Sequence, residues 1–363
     1  MFQTDRKQQT ITIEGKIFTA GDIASILSGK MFFAGNSDFY LELFRFLDDW
    51  FNPAEETIIH TSGSTGKPKS MVVQKKFMIQ SACITCEYLG LKPMDKILLC
   101  MPLSFIAGKM MVVRALVGGL DLYLTAPTGH PLKDTEETFQ FASMVPLQIF
   151  NCLQEPLETE RLHQVKNLLI GGGAINPALE KALQGFPNNV YASYGMAETV
   201  SHVALRKVNG PEATLNFTPL PSVSITLSEE NALIVEAPLV CAKTLHTNDV
   251  AEIFPNGTFR ILGRKDNVIV TGGLKVQAET LETTLSALIH VPFAITSLPD
   301  PKFGEKIVLA VEEPIDETRL KNHLPSFQVP KRIIVVSIPR TESGKIDRAA
   351  LKELVKSKEE SLK

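Results

Sequence analysis

Short apolar strand patterns alternate with helix-length segments along this 363-residue chain. The alternation predicts an α/β fold with a largely parallel sheet, because parallel neighbours need crossover connections that usually contain a helix. Ligands of such sheets bind beside the carboxyl ends of the strands. Predicted strands cover residues 71–73, 96–101, 121–125, 166–170 and 189–193; predicted helices cover residues 22–27, 39–51, 75–89, 106–117 and 177–183. Polar or glycine-rich turns follow predicted strands at residues 61–69, 171–174 and 194–199.

The pattern changes twice further along the chain. Short β runs from about residue 203 predict a β subdomain, and residues 10–18 predict an N-terminal hairpin. After Asp266, strand and helix patterns alternate again, with helices predicted over residues 278–289, 318–324 and 348–356. We therefore expect a large domain over residues 1–265, with a reduced N-terminal part, and a small mobile α+β domain over residues 266–363.

Charge and composition exclude several classes of protein. The net charge of −3 argues against nucleic-acid binding driven by overall charge. The most apolar run, residues 97–108, ends at Lys109 and is too short to span a membrane. The five cysteines are odd in number and follow a polar N-terminus without a secretion signal, so we expect reduced thiols and a cytoplasmic location. Nothing in the sequence indicates an oligomeric state.

Residues 61–69 carry the strongest chemical signal. They combine hydroxyl side chains, two glycines and two lysines after a short apolar strand, which suits a loop that binds polyphosphate. The loop lacks the P-loop pattern, because Pro68 follows Lys67 and Thr61 stands where that pattern requires its first glycine. Taken alone, a solvated surface loop is an equally good interpretation.

Four downstream positions are candidate partners of this loop. Glu198 follows a predicted strand and has the chemistry of a Mg²⁺ ligand, and Asp249 has that of a ribose acceptor. Gly272-Gly273 permits close backbone approach to a ligand, and Lys345 on a glycine-hinged loop would bring a cation to a reacting phosphate or carboxylate. Each also has an ordinary interpretation: an exposed glutamate, an Asx turn, a tight turn or a solvated basic loop.

Five segments, in chain order, resemble the acyl-adenylate-forming superfamily of acyl-CoA synthetases, nonribosomal peptide adenylation domains and firefly luciferase. Residues 61–69 match its T-S-G-[ST]-T-G-x-P-K element. The other matches are residues 194–198 (Y-G-x-T-E, with Ala197 in place of threonine), 246–249 (T-G-D, with Asn248 in place of glycine), 263–273 (G-R-x-x-D followed by G-G) and 341–348 (T-x-S-G-K-[IV]-x-R).

The resemblance implies an enzyme that uses ATP and Mg²⁺ to activate a small carboxylic acid as an acyl-adenylate, with coenzyme A as acceptor. Lys345, Glu198 and Thr65 would be catalytic, Glu198 would bind the metal, and Asp266 would be the hinge of the small domain. The implied nucleotide- and cofactor-binding residues are Thr61, Ser62, Gly63, Ser64, Thr65, Gly66 and Lys67 for phosphates, Gly172, Gly173, Ala174 and Tyr194 around adenine, Asp249 and Arg264 for ribose, and Gly272 and Gly273 for the second half-reaction. Gly195 is a further implied cofactor-binding residue.

Three departures from the family pattern bear on activity. Ser70 replaces a glycine at the exit of the loop, and Ala197 removes a hydroxyl near the phosphates. Fewer residues precede the loop than in full-length relatives, so we expect part of the usual N-terminal subdomain to be missing or reduced. Ser70 is expected to alter only the loop exit, whereas Ala197 and the short N-terminal part leave open a non-catalytic nucleotide-binding relative.

The acid is indicated by residues 101–108, which match the family element P-L-x-[HF]-x-x-G at the border of the acyl pocket. The continuation to Arg114 resembles short o-succinylbenzoate–CoA ligases of menaquinone synthesis. That acid keeps one carboxylate after the other is activated, and the retained carboxylate needs a cation. Phe105, Lys109 and Arg114 are the candidate substrate residues. Alternatives are helix-edge charges with packed stems, or an enzyme for another aryl or fatty acid that loads CoA or a carrier protein.

Overall fold

The computed structural model of the chain describes residues 2–32, 38–61, 69–317, 320, 323–341 and 346–361. The described helices are α1 (Ala20–Leu27), α2 (Asp38–Phe51), α3 (Lys75–Tyr88), α4 (Ile106–Gly118), α5 (Pro146–Cys152), α6 (Pro156–Gln164), α7 (Pro177–Leu183), α8 (Ala278–Leu285) and α9 (Arg348–Ser361). The described strands are β1 (Ile11–Ile13), β2 (Lys16–Phe18), β3 (Glu56–Thr61), β4 (Lys69–Gln74), β5 (Lys96–Leu99), β6 (Asp121–Leu124), β7 (Phe141–Met144), β8 (Asn167–Ile170), β9 (Asn189–Gly195), β10 (His202–Lys207), β11 (Thr218–Pro219), β12 (Ser224–Leu227), β13 (Ala232–Glu236), β14 (Leu245–Ile253), β15 (Phe259–Arg264), β16 (Val268–Thr271), β17 (Leu274–Gln277), β18 (Phe293–Asp300), β19 (Gly304–Val311) and β20 (Arg332–Val335).

A nine-stranded sheet forms the centre of the larger part of the chain. Its order is β11-β10-β9-β8-β7-β5-β6-β1-β2. Neighbours from β9 across to β1 run parallel, with Ile97, Phe141, Asn167 and Asn189 in one register, whereas the strands at both edges pair antiparallel. The predicted α/β fold with a largely parallel sheet is confirmed.

Alternate side chains of the central strands enter two different cores. Ile97 and Leu99 pack with residues of α2, α3 and α4, whereas Leu98 packs with residues of α5, α6 and α7. Because both faces of the sheet are covered by helices, every position of these strands favours an apolar residue. This explains why β5 and β8 read as continuous apolar runs in the sequence.

Three elements between residues 139 and 165 were not predicted. Strand β7 is short and contains alanine, serine and methionine, which have weak strand preference. Helices α5 and α6 both begin with proline, which suits the first turn of a helix and is a usable start signal. Strand β10 was expected in the β subdomain, but it continues the main sheet as an antiparallel neighbour of β9.

Strands β3 and β4 correct a second expectation. They pair antiparallel in a sheet of their own, from Glu56 opposite Gln74 to Thr61 opposite Lys69, so the loop between them closes a hairpin. It therefore does not follow a strand of the parallel sheet. One hairpin face is buried at Ile59, while Ile58 is 56% exposed on the other. The alternation of buried and exposed positions cannot be read from the sequence, because the exposed residue Ile58 is also apolar.

The remaining strands form two more sheets. Strands β12 to β15 form a four-stranded antiparallel sheet in chain order, as expected for the β subdomain. Beyond Asp266, a five-stranded sheet of β16 to β20 is covered on opposite faces by α8 and α9, which contribute to separate cores. The predicted helix over residues 318–324 falls largely outside the described residues, and the boundary at residue 266 stays a prediction. None of the described helices is long and apolar enough to cross a membrane.

Candidate active site

The phosphate-loop candidates Ser62, Gly63, Ser64, Thr65, Gly66 and Lys67 lie outside the described residues, as does Lys345. The base of the loop is described through its backbone. Thr61 and Lys69 are partners at the loop end of the β3–β4 hairpin, so the two ends of the loop lie side by side. His60 forms an isolated parallel bridge with Phe105, the residue before α4. The base of the loop therefore adjoins the segment predicted to border the acyl pocket.

Three predicted nucleotide-binding residues form one hydrogen-bonded group. Asp249 and Arg264 face each other across β14 and β15, and Tyr194 reaches them from β9. The Tyr194 hydroxyl donates to Oδ2 of Asp249 at 2.7 Å, and Nη1 of Arg264 donates to Oδ1 at 3.0 Å. Each carboxylate oxygen keeps a further acceptor site, so Asp249 can still accept a hydrogen bond from a sugar hydroxyl.

Aromatic packing holds Tyr194 in this position. Its ring centroid lies 5.5 Å from that of Phe259 and 6.0 Å from that of Phe217. Burial, and then the Asp249 carboxylate, raise the pKa of Tyr194, so the phenol stays protonated and remains a donor. The sequence motif thus supplies an aromatic wall and an oriented carboxylate.

The predicted hinge residue, Asp266, lies beside this group. Nη2 of Arg264 donates to its carboxylate at 3.1 Å, and Nδ2 of Asn248 donates at 3.3 Å. Asn248 is the residue that departs from the T-G-D element, and its amide contacts the predicted hinge in place of the family's glycine. In this conformation the hinge is linked to both β14 and β15.

The glycines of two motifs are required for different structural reasons. A Cβ on Gly195 would lie 2.3 Å from the Ser201 carbonyl oxygen, so the close approach of β9 and β10 excludes any side chain there. Gly272 and Gly273 have φ angles of 57° and 80° in the turn between β16 and β17. Their tight-turn interpretation accounts for both glycines, and a role in the second half-reaction stays a prediction.

The turn after β8 lies at the carboxyl edge of the main sheet, as expected. Gly172, with a φ of 77°, Gly173 and Ala174 are exposed there, and β8 pairs in parallel with β9, which carries Tyr194. The backbone of residues 172–174 and the ring of Tyr194, both predicted to bind adenine, therefore lie at the ends of two neighbouring strands.

Glu198 is exposed in a one-turn 3₁₀ helix, Ala197–Thr199, that follows β9. Its carboxylate makes no hydrogen bond or ion pair with another described residue, and the described part of the chain holds no cluster of three or more His, Cys, Asp or Glu that would bind a metal. One free carboxylate fits Mg²⁺ that is held mainly by substrate phosphates, since such ions need only one or two protein carboxylates.

The two candidate substrate cations differ in surroundings. Nζ of Lys109 donates to the Ile58 carbonyl of β3 at 2.7 Å and lies 5.3 Å from the Phe46 ring centroid. Burial lowers the pKa of Lys109. The ammonium thus fastens α4 to the phosphate-loop hairpin, which is a structural use of its charge.

Arg114 is buried in the core of the main sheet, with 2% of its surface exposed. Nη2 donates to Ser201 Oγ at 2.8 Å, Nη1 lies 3.6 Å from Met111 Sδ, and Nε has no hydrogen-bond partner. The guanidinium also lies 5.8 Å from the Phe141 ring centroid. No described carboxylate pairs with it, and burial lowers its pKa to about 10. The alternative of a helix-edge charge is therefore wrong for Arg114.

Comparison with known proteins identifies the family of this chain. A family model described as AMP-binding enzyme matches residues 51–238, which include the phosphate loop, Arg114 and the turn with Glu198. The chain belongs to the AMP-binding enzyme family. This AMP-binding enzyme is 25% identical over 344 residues to the 2-succinylbenzoate–CoA ligase of Listeria monocytogenes, a match that covers 85% of the chain and 72% of the relative.

Two solved structures are also similar to the chain. A protein of Dyadobacter fermentans described as acyl-CoA synthetase (AMP-forming)/AMP-acid ligase II-like is 32% identical, with a TM-score of 0.62 over 90% of this chain and 97% of that one. The Bacillus subtilis o-succinylbenzoate–CoA synthetase, in complex with ATP and magnesium ion, has the same fold with a TM-score of 0.68, 21% identity and coverage of 84% of this chain and 74% of that one. The AMP-binding enzyme is thus an AMP-forming acyl-CoA ligase.

Sequence reasoning missed Ser201, which lies between the Glu198 turn and β10, and His202, the first residue of β10. Ser201 is the oxygen partner of Arg114, and His202 is its neighbour in a buried hydrogen-bond chain. The available signal was their position shortly after the Y-G-x-x-E match, which ends at Glu198. Neither residue type is distinctive enough to be selected from one sequence.

Replacing Asp249 by asparagine is expected to weaken ATP binding about 10- to 100-fold, because the ion pair with Arg264 and the predicted charged acceptor for the sugar would be lost together. Titration calorimetry with ATP measures the effect. Glu252→Gln is the matched control, since Glu252 lies exposed on the same strand. Equal ATP affinity of Asp249→Asn and the control would contradict the ribose role.

Proposed function

We propose that this ligase converts o-succinylbenzoate, ATP and CoA into o-succinylbenzoyl-CoA, AMP and pyrophosphate, a step of menaquinone synthesis. The observation that carries the proposal is the buried guanidinium of Arg114, which has an unused Nε donor and no paired carboxylate among the described residues. An acid that keeps one carboxylate after activation of the other would supply the missing negative charge.

Burial of an unpaired cation is energetically unfavourable. A guanidinium removed from water loses several kcal/mol of solvation, and proteins normally recover this with a buried anion. Arg206 shows the usual arrangement, since its Nη1 and Nη2 donate to Glu180 at 2.7 and 2.8 Å. The segments outside the described residues contain one acidic side chain, Glu342. Arg114 is therefore the residue that we assign to the retained carboxylate.

Position supports Arg114 over Lys109. Both lie on α4, which begins directly after the segment that resembles the border of the acyl pocket. The Lys109 ammonium already donates to the Ile58 carbonyl, whereas Nε of Arg114 has no hydrogen-bond partner. A planar guanidinium also matches a carboxylate better than a point charge does.

In the first half-reaction, a carboxylate oxygen of the acid attacks the α-phosphorus of ATP, and pyrophosphate leaves. We assign binding of the phosphates to the loop of residues 61–67 and binding of the ribose to Asp249 and Arg264. Lys345 would stabilise the negative charge that develops at the α-phosphate. Glu198 would hold Mg²⁺, which neutralises phosphate charge when bound.

In the second half-reaction, the thiolate sulfur of CoA attacks the acyl carbon, and AMP leaves with the electron pair of the broken C–O bond. The small domain would turn about Asp266, which replaces the Lys345 loop by the Gly272-Gly273 turn at the site. The contacts of Asp266 with Arg264 and Asn248 would have to rearrange in that movement.

A screen of carboxylic acids tests the proposal, with pyrophosphate release measured in the presence and absence of CoA. Two matched analogues, 4-oxo-4-phenylbutanoate and 2-butanoylbenzoate, each lack one carboxylate of o-succinylbenzoate. We expect the specificity constant kcat/KM for o-succinylbenzoate to exceed that for either analogue by about 100-fold or more. A preference for a monocarboxylic aryl or fatty acid, or for a carrier-protein acceptor, would reject the assigned substrates. ATP binding without pyrophosphate release would identify a non-catalytic relative.

A further inference from the structure

We infer that His202 and Ser201 are positioning residues that hold the Arg114 guanidinium in the orientation required for the second carboxylate of the acid. The inference rests on the proposed function, because it gives a specificity role to residues that touch Arg114. It concerns a chain of hydrogen bonds that runs from α4 through the start of β10 to α3.

Four contacts make up the chain. Nη2 of Arg114 donates to Ser201 Oγ at 2.8 Å, and Ser201 Oγ lies 3.3 Å from Nδ1 of His202. Nε2 of His202 lies 3.1 Å from Thr85 Oγ1, which donates to the Ser81 carbonyl of its own helix at 2.9 Å. His202 and Thr85 are 7% and 1% exposed, so solvent does not compete for these bonds.

The direction of every hydrogen bond follows from the last one. Thr85 uses its single hydroxyl proton on the Ser81 carbonyl, so Nε2 of His202 must donate to Thr85. Nδ1 of His202 is then unprotonated and accepts from the Ser201 hydroxyl. The Ser201 oxygen therefore presents its lone pairs to Arg114. Burial, and then the Arg114 charge, lower the pKa of His202 to about 3, so the imidazole is neutral near pH 7.

The backbone before Ser201 is built to hold this arrangement. Val200 has φ 66° and ψ −44°, and the amide of Ser201 donates to the Thr199 carbonyl at 2.7 Å, which defines a γ-turn. A β-branched residue in that conformation is strained and persists only when its surroundings determine it. Thr199 Oγ1 donates to the Ser201 carbonyl at 2.7 Å, and the absence of a Cβ on Gly195 lets β9 approach.

The other contacts of Arg114 do not fix its orientation. The Met111 sulfur is a weak acceptor at 3.6 Å, and the Phe141 ring attracts the guanidinium without a directional hydrogen bond. Ser201 is the hydrogen-bonding oxygen that the described residues provide to Arg114. His202 in turn orients Ser201, so removal of the imidazole should loosen the guanidinium without removing it.

The test compares His202→Leu with His202→Asn, whose amide oxygen can replace Nδ1 as acceptor. For His202→Leu we expect KM for o-succinylbenzoate to rise about 10- to 30-fold, with kcat within about threefold and KM for ATP unchanged. His202→Asn should restore most of the loss. With the monocarboxylic analogue that keeps the activated carboxylate, kcat/KM of neither variant should differ from wild type by more than about twofold.

Thr85→Val serves as a second variant that keeps the side-chain shape if His202→Leu does not fold, and it should raise the same KM about three- to fivefold. Equal losses with the dicarboxylic and monocarboxylic acids, or an unchanged KM for o-succinylbenzoate, would overturn the positioning role while leaving the proposed function intact. A wild-type enzyme without preference for the dicarboxylic acid would overturn the proposed function itself, and the inference with it.

Discussion

Arg114→Met is expected to raise the melting temperature of the ligand-free protein and to remove most of its preference for a dicarboxylic acid. The guanidinium is buried without a paired carboxylate among the described residues, so an apolar residue of similar volume avoids its desolvation cost. We expect a gain of about 1–4 kcal/mol in the free energy of unfolding. The same change should lower kcat/KM for o-succinylbenzoate by about 10²- to 10³-fold, because the retained carboxylate would lose its cation.

Thermal melting without ligand and steady-state kinetics with the acids measure the two effects separately. Arg206→Met is the matched control, because Arg206 is also buried but pairs with Glu180. Its removal leaves a carboxylate without its cation and should destabilise the protein by about 3–5 kcal/mol. If both substitutions destabilise the protein to the same extent, Arg114 has a structural role and the proposed function loses its main support.

Lys345→Ala is expected to remove acyl-adenylate formation while sparing thioester formation from supplied acyl-adenylate. A cation near the α-phosphate stabilises charge that develops during the first half-reaction only, so its loss should cost about 10²- to 10³-fold in that step. Pyrophosphate exchange into ATP measures the first half-reaction, and CoA-thioester formation from synthetic acyl-adenylate measures the second.

Lys352→Ala is the control for the small domain. Lys352 lies on α9, is 49% exposed at its side chain and pairs with Glu305 at 3.4 Å. A surface ion pair of this kind contributes little, so both half-reactions should continue at the wild-type rate. Equal loss of both half-reactions in Lys345→Ala would reject the division of labour between them.

Most of the hydrogen-bonded group of Tyr194, Asp249 and Arg264 was predictable from local sequence. Tyr194, Asp249 and Arg264 each stand in a recognisable motif, and the structure places their side chains within hydrogen-bond distance of one another. Such motifs can be recognised in a single sequence because each consists of particular residue types at short spacing. The phosphate loop and the Lys345 loop have equally clear signatures, and their roles stay predictions because those residues lie outside the described part of the chain.

The fold was predictable where periodicity was strong and missed where it was weak. Strands β5, β6, β8 and β9 were recognised from apolar runs, whereas β7 was missed because its residues have weak strand preference. The β3–β4 hairpin was misread as part of the parallel sheet, because its exposed face carries apolar residues such as Ile58. The cytoplasmic location stays a prediction.

The sequence by itself determined the class of chemistry, since the motifs for phosphate, ribose and catalytic cation depend on neighbouring residues. Only the tertiary structure decided which of the two candidate cations is buried without a paired carboxylate among the described residues. Helix periodicity could not separate Lys109 from Arg114, because α4 is buried around almost its whole circumference. The difference arises from Ile58, Phe141 and Ser201, which are distant from α4 in sequence and contact its two cations only in the folded structure. Burial and pairing of a charge are properties of that assembled environment.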